Sequence, residues 1–429
     1  MYWLLDDAEQ ERIREIVLGL TTELSTITDN PQIDQYFPYV GRKDRRKAEV
    51  IVNHLSSVDG AVCGPFSGSG SLFYAMATLR QKAKANEWEP YANRISSAPW
   101  RLPNQADLRR AYRQLVGDIA PNLNKLYWTR CTCGNAHVLH SLFYDREPLR
   151  YPNVSVHERL GGNGENVTYR QKLYRCPVCG AEQKFFDDED AAHMARMDAL
   201  PVDPIFNFQL IENSRINLSS NFTTYGALFP QRSKLALPII WKAIQNLSCS
   251  EASKMFLEDV FLSILVQAKY KDYRSKSQDL HCPPEKLREV NLLYAFQKQY
   301  KKRLDGLSAY PFRRITEIAD PIPLSPIYML DFRDFFDRQE GSSVDLVLTD
   351  PPWTDGTAYF ERAQLYHPWV NYDLKTDQAR LDKEMIVTDA PSRRATPRTS
   401  VRAARFAPTS SRNSGSMTRS RSSGRIPPT

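Results

Sequence analysis

Hydrophobic residues recur along this chain in two patterns: short apolar runs that stop at turn residues, and longer stretches with apolar positions three and four apart. The first pattern predicts buried strands and the second amphipathic helices. Residues 344–353, VDLVLTDPPW, make one apolar run, which ends at Asp350-Pro351-Pro352-Trp353. Far upstream, Ser56 to Cys63 (SSVDGAVC) predicts a short strand. It is followed by Gly64-Pro65-Phe66-Ser67-Gly68-Ser69-Gly70 and then by the helix-like SLFYAMATLRQKA. Strand, tight glycine loop and helix form the first unit of a doubly wound α/β fold, whose ligands lie at the carboxyl ends of the strands. Residues 234–305 are dense in helical spacing, in LALPIIWKAIQNL, ASKMFLEDVFLSILVQAKY and EKLREVNLLYAFQKQYKKRLDGL, and predict amphipathic helices packed together. No internal repeat is evident.

The loop that ends the 344–353 run suits chemistry on an exocyclic amino group. Such a nitrogen is a poor nucleophile because its lone pair is delocalised into the ring. Two acceptors that take both N–H bonds pull it toward tetrahedral geometry, and Asp350 with the Pro351 carbonyl can supply them. Pro351 and Pro352 fix φ and remove backbone donors, so the loop presents acceptors in a stiff shape. Trp353 offers a face on which an extruded base can stack. Upstream, the glycines permit the turn and let a ligand approach the backbone. Glu87, in NEWEPYA, falls where a second strand should end, and a carboxylate there can accept from both ribose hydroxyls.

On these motifs the chain resembles the amino-methylating DNA methyltransferases, and especially the adenine-specific (N6) bacterial enzymes that carry a zinc-ribbon insert. The family's glycine motif is usually DPFSGSG and its catalytic motif D/N-P-P-aromatic. The resemblance implies a Rossmann-like S-adenosylmethionine-dependent sheet, with cofactor-binding residues Pro65, Phe66, Ser67, Gly68, Ser69, Gly70 and Glu87. LDFRDF (Leu330 to Phe335) is similar to the family's acidic segment before the catalytic strand, and so places Asp331 near the cofactor's adenine. QYFPYVGRKDRR (Gln35 to Arg46) resembles the segment that folds over the cofactor's methionine end, and TYGALFPQRSKLAL (Thr224 to Leu237) resembles a segment of the inserted region. Catalysis would fall to Asp350, Pro351, Pro352 and Trp353. The aspartate at position 350 favours adenine over cytosine. One departure is Gly64, which stands where the family has an aspartate. The implied partners are DNA and a restriction endonuclease subunit. Alternatives are an RNA or cytosine-N4 amino methyltransferase, and an inactive DNA-binding remnant of a methylase.

Four of the seven cysteines, Cys131, Cys133, Cys176 and Cys179 in RCTCGNAH and RCPVCGAE, predict a zinc ribbon, because tetrahedral zinc takes four thiolates from two β-turns. The first turn has one residue between its cysteines where two is usual, and His137 or His140 is an alternative to Cys131 as a ligand. An odd cysteine count fits a reducing compartment. No apolar run approaches a membrane span and the N-terminus is acidic and amphipathic, so a cytoplasmic protein is expected.

Charge and composition divide the chain unevenly. From Pro391 to Thr429 there are nine arginines, no lysine and no acidic residue. The chain's formal charge is +7, so the residues before this tail are net acidic. An arginine, serine and proline arm of this kind should be disordered and can bind nucleic acid nonspecifically. It begins with only four of a methyltransferase sheet's seven strands passed, which is the expectation for a frameshifted or truncated member with an incomplete sheet. The expected units are 1–100 (helix and cofactor-binding half), 101–215 (zinc ribbon), 216–320 (helical insert for target recognition), 321–388 (catalytic half) and 389–429 (tail).

Overall fold

In the computed structural model the described residues are 6–28, 42–79, 82–98, 101–145, 170–173, 175–210, 224–270, 286–309, 327–339, 341, 343–351 and 359–370. In chain order they form α1 (Asp7–Thr26), α2 (Arg45–Leu55), β1 (Val62–Gly64), α3 (Ser71–Leu79), β2 (Ala83–Asn86) and α4 (Pro90–Ser97). An insertion follows, with α5 (Gln105–Leu126), β3 (Trp128–Arg130), β4 (Ala136–Asp145), β5 (Arg170–Leu173), β6 (Gln183–Phe185) and α6 (Asp188–Asp198). It continues through α7 (Gln231–Gln245), α8 (Glu251–Ala268), β7 (Lys286–Val290) and α9 (Leu292–Ala309). The last elements are β8 (Ile327–Tyr328), α10 (Phe332–Asp337), β9 (Leu346–Val347) and α11 (Tyr359–Ala363).

The protein is mixed α/β. Four strands make a parallel sheet in the order β8-β2-β1-β9. The chain steps outward from β1 through β2 to β8, then returns to the other side of β1 with β9. Strand order therefore reverses at β1, and a crevice for ligands is expected outside the carboxyl ends of β1 and β9. The central strand is apolar because it is covered on both faces: Val62, Cys63 and Gly64 are all buried. Val52 of α2, Phe73 and Met76 of α3, Ala85 of β2 and Ile327 of β8 pack with Val62 in one cluster, against which Leu346 and Leu348 rest.

The glycine loop turns where the helices leave least room. Gly70 has φ +83°, and a Cβ there would lie 2.8 Å from Ser96 Cβ and 2.9 Å from Ser96 Cα of α4. Only a residue without a side chain lets α3 start this close to α4.

The insertion builds an antiparallel sheet, β3-β4-β5-β6, with β7 paired to β4. Helices α5, α7, α8 and α9 share the largest core with Tyr91 of α4 and with Leu365, Tyr366 and Trp369. Helical spacing over residues 285–307 predicts one helix, and that expectation is corrected here. Lys286–Val290 is a strand, with Ser141 opposite Val290 and Leu142 opposite Glu289. Asn291 decides the change: its backbone N–H donates to the His140 carbonyl at 3.0 Å, ending the ladder, and its side chain accepts from Leu293 N at 3.0 Å, capping the helix. Periodicity could not see that β4 offered an edge to pair with.

Several expectations fall outside the described residues: most of Gln35 to Arg46, Pro352, Trp353, and the tail from residue 389. Among the described residues no helix is long and apolar enough to cross a membrane.

Gly70→Ala should lower the unfolding free energy by about 3 kcal/mol, because it combines left-handed strain with a backbone collision. Gly117→Ala, exposed in α5 with nothing within 4 Å of the new methyl, should instead stabilise by about 0.5–1 kcal/mol. Denaturant titration of the two variants checks the contrast.

Candidate functional site

The parallel register brings the separated motifs to one edge. Gly64 to Gly70 leave β1, Glu87 follows β2, Asp331 follows β8, and Asp350 and Pro351 follow β9. The glycine loop thus lies between the strand that carries Glu87 and the strand that carries Asp350.

Backbone and side-chain hydrogen bonds shape the loop. Gly70 N donates to the Ser67 carbonyl at 2.8 Å, and Ser67 N donates to the Asn86 carbonyl at 3.0 Å. Gly68, at φ 51°, donates its N–H to Glu87 Oε2 at 2.6 Å. The other Glu87 oxygen accepts from Glu89 N at 2.9 Å. A carboxylate has about four acceptor positions, and with the Trp88 N–H also acting on it Glu87 keeps room for a ligand hydroxyl. Burial pushes the Glu87 carboxyl up to about 8, against the opposing pull of the Glu89 and Gly68 N–H groups. Ionising it therefore works against folding: the stability is full below the ordinary carboxyl range and is lost as pH rises to about 8.

Asn86 ties the loops together. Its amide donates to the Leu330 carbonyl at 2.9 Å and to the Pro65 carbonyl at 3.3 Å, and its oxygen accepts from Leu330 N at 2.9 Å. Phe66 of the glycine loop faces Phe332 at the start of α10, with ring centroids 5.5 Å apart and both rings half-buried. Asp331, next to Phe332 in the chain, is occupied. It caps α10 by accepting from Arg333 N at 3.0 Å, and it takes Arg333 Nη2 at 2.6 Å. The Phe66–Phe332 pair offers apolar faces to a planar ring, and Asp331 shapes the segment that carries Phe332.

On the other side of β1, Leu348 N donates to the Cys63 carbonyl at 2.9 Å, which carries the chain out to Asp350. Asp350 Oδ2 lies 2.7 Å from Lys43 Nζ, with the two side chains 41% and 48% exposed. A pair this open stabilises the fold by less than about 1 kcal/mol, so its geometry bears on the site more than on stability.

Behind Glu87 the chain is pinned to the segment that follows β9. Glu89 caps α4, accepting from Tyr91 N and Ala92 N at 2.9 and 2.6 Å, and also meets His367 Nε2 at 2.9 Å. Tyr91 stacks on Tyr366 with centroids 3.6 Å apart. Tyr225 donates its hydroxyl to the Leu365 carbonyl at 2.6 Å and accepts from Trp369 Nε1 at 2.8 Å.

The cysteine motifs form a second, separate cluster. The first knuckle joins β3 to β4 and the second joins β5 to β6. Each turns through a glycine at positive φ, Gly134 at 83° and Gly180 at 75°. The Sγ atoms of Cys131, Cys133, Cys176 and Cys179 all lie within 4.8 Å of one another, with Cys131 to Cys179 at 3.5 Å and Cys133 to Cys176 at 3.8 Å. Four thiolates about 2.3 Å from a tetrahedral zinc are about 3.8 Å apart, so the donors fit a metal ion such as zinc. The single-residue spacing of the first knuckle is no obstacle, because Asn135 carries the turn: its carbonyl accepts from Cys131 N at 2.8 Å and its side chain donates to Cys133 Sγ at 3.2 Å. His137 and His140 stand outside the cluster. His137 Nδ1 accepts from Val138 N, and His140 packs on Tyr294.

Asn86, Phe332 and Lys43 are site residues that sequence reasoning did not single out. Asn86 and Phe332 adjoin Glu87 and Asp331, so reading the flanks of each motif finds them. Lys43 lies within the Gln35 to Arg46 segment, but nothing local marks it out there. No protein-family model, curated protein or solved structure matches this chain. The functional reading therefore rests on the motifs and on this geometry.

The protein should purify with one zinc per chain by elemental analysis. Cys176→Ser should lose most of it and unfold β5 and β6 locally, while Cys63→Ser and Cys249→Ser should retain it.

Proposed function

We propose that this chain is an S-adenosylmethionine-dependent methyltransferase on a Rossmann-like sheet, acting on the N6 amino group of adenine in DNA. The observation that carries the reading is the meeting of four motif-bearing loops at the carboxyl edge of one parallel sheet, on either side of its point of strand reversal. Although scattered over almost 300 residues, those motifs are brought by the parallel pairing to one edge, where a single ligand can meet all of them.

Glu87 would take the ribose hydroxyls, the Phe66 and Phe332 rings would pack together against one side of the cofactor's adenine, and the Gly68 region would let its methionine end lie against the backbone. When bound, S-adenosylmethionine supplies an electrophilic methyl group on a sulfonium sulfur. Asp350 and the Pro351 carbonyl accept the amino hydrogens of an extruded base, and Trp353 stacks on its ring. Held in this way, the amino nitrogen would have its lone pair aimed at the methyl group that the cofactor would supply. The surplus amino proton leaves to Asp350 or to water. Orientation and exclusion of water account for most of the acceleration. Zinc at the four cysteines is structural, and the inserted sheet and helices are the region that reads DNA.

A second reading, a noncatalytic DNA-binding remnant, is favoured by one observation. Gly64 supplies no carboxylate to the cofactor loop, and a Cβ there would lie 2.7 Å from the Met76 terminal methyl, which closes the space. A methionine tip moves at small cost, so Gly64→Asp is a usable repair.

Calorimetric titration should show S-adenosylmethionine binding that tightens by up to about tenfold per pH unit from 6 toward 8 and then levels off, as Glu87 becomes the acceptor. Glu87→Gln should bind weakly and without that slope. Binding only after Gly64→Asp would favour the remnant.

Asp350→Ala should reduce methyl transfer to plasmid DNA by at least about a thousandfold while leaving S-adenosylmethionine affinity within about threefold. Full activity in that variant would remove Asp350 from the chemistry. Transfer to tRNA in preference to plasmid would redirect the substrate assignment to RNA.

A further inference from the structure

The ammonium of Lys43 sits beside the one candidate carboxylate that faces outward, and the fold puts it there by two independent anchors. Lys43 immediately precedes Asp44, which caps α2 by accepting from Arg46 N at 3.0 Å. The helix is then fixed by Ala48, buried with Leu72 and Ala75 of α3 and against Leu348, two residues before Asp350. The start of α2 and the exit of β9 thus share one apolar contact, which holds Lys43 Nζ 2.7 Å from Asp350 Oδ2. Both side chains remain partly exposed at the carboxyl edge, where a base would arrive.

A carboxylate can only accept and an ammonium can only donate. An aminated base presents the complementary pair on its Watson–Crick edge: an amino group that donates and, across one carbon, an unprotonated ring nitrogen that accepts. We propose that Lys43 and Asp350 together read this amidine edge, with Lys43 donating to the ring nitrogen while Asp350 and the Pro351 carbonyl hold the amino group. The proposal rests on the methyltransferase reading and deepens it by naming what the site selects. A base with oxygen in place of the amino group, such as hypoxanthine, would set that oxygen against the Asp350 carboxylate and a ring N–H against the ammonium. Before the base arrives the two charges satisfy each other. On arrival each exchanges its partner for a base atom, so neither is left bare.

The test compares pools of random-sequence duplexes carrying adenine with pools carrying 1-deazaadenine, which keeps the amino group but has C–H in place of N1. The deaza base pairs more weakly and is extruded more easily, so loss of rate runs against that bias. The natural chain should lose about tenfold or more in kcat/KM on the deaza pool. Lys43→Met should be equally slow on both pools, and Lys43→Arg should regain part of the preference for adenine. Equal rates of the natural chain on both pools would overturn the role of Lys43 and leave the methyltransferase reading standing. A Lys43→Met chain faster than the natural one would also overturn it, making the lysine a plug. No transfer by the natural chain to any adenine pool would overturn both.

Discussion

The carboxyl edge of the parallel sheet depends on one buried amide. Asn86 is 1% exposed, and its side chain satisfies the Pro65 carbonyl and both backbone groups of Leu330. Leaving any one of those groups buried and unpaired would cost about 1–3 kcal/mol. The same residue accepts from Ser67 N through its own carbonyl. It therefore sets the spacing between the glycine loop, Glu87 and the start of α10 from a single point. No apolar residue can substitute, because the three loops leave their strands with backbone groups that no ladder reaches.

The insertion is braced against the helix that follows Glu87. Arg94 of α4 donates to Asp259 at 2.7 Å and to Glu258 at 2.7 Å, both on α8, with Arg101 3.8 Å from Asp259. Breaking a buried pair by removing one partner costs about 3–5 kcal/mol, so this contact couples α8 firmly to α4. Tyr225 and Glu89 add hydrogen bonds to Leu365 and His367, in the segment after β9. A region that reads a target through α8 or α9 would have a short, stiff path to Glu89 and so to the Glu87 loop.

Much of this was legible in the sequence where the signal is local. The glycine loop, the acid after β2 and the paired cysteines each depend on residues within a few positions, and the structure sets them on the turns their chemistry requires. The helices α7 and α8 follow from apolar spacing. The 286–290 strand was not legible, since its partner β4 lies about 145 residues upstream and helical and strand periodicity overlap over five residues. Asn86 and Lys43 both lie within segments read from the sequence, but their roles are defined by partners that the sheet brings near.

Three acidic residues at one edge differ only in surroundings, and the difference sorts their roles. Asp331 is committed to capping α10 and to Arg333, which leaves it a shaping function. Glu87 is buried and held by backbone N–H donors, so its spare acceptor room favours a neutral hydroxyl over a charged ligand group. Asp350 alone is open to solvent, with a half-exposed lysine as its counter-ion. A polar amino group can displace that contact at small cost because an exposed ion pair is weak. The edge thus has a buried side at Glu87 and an exposed side at Asp350, with β1 and its glycine loop between them; under the proposed reading the first would hold the cofactor and the second the substrate.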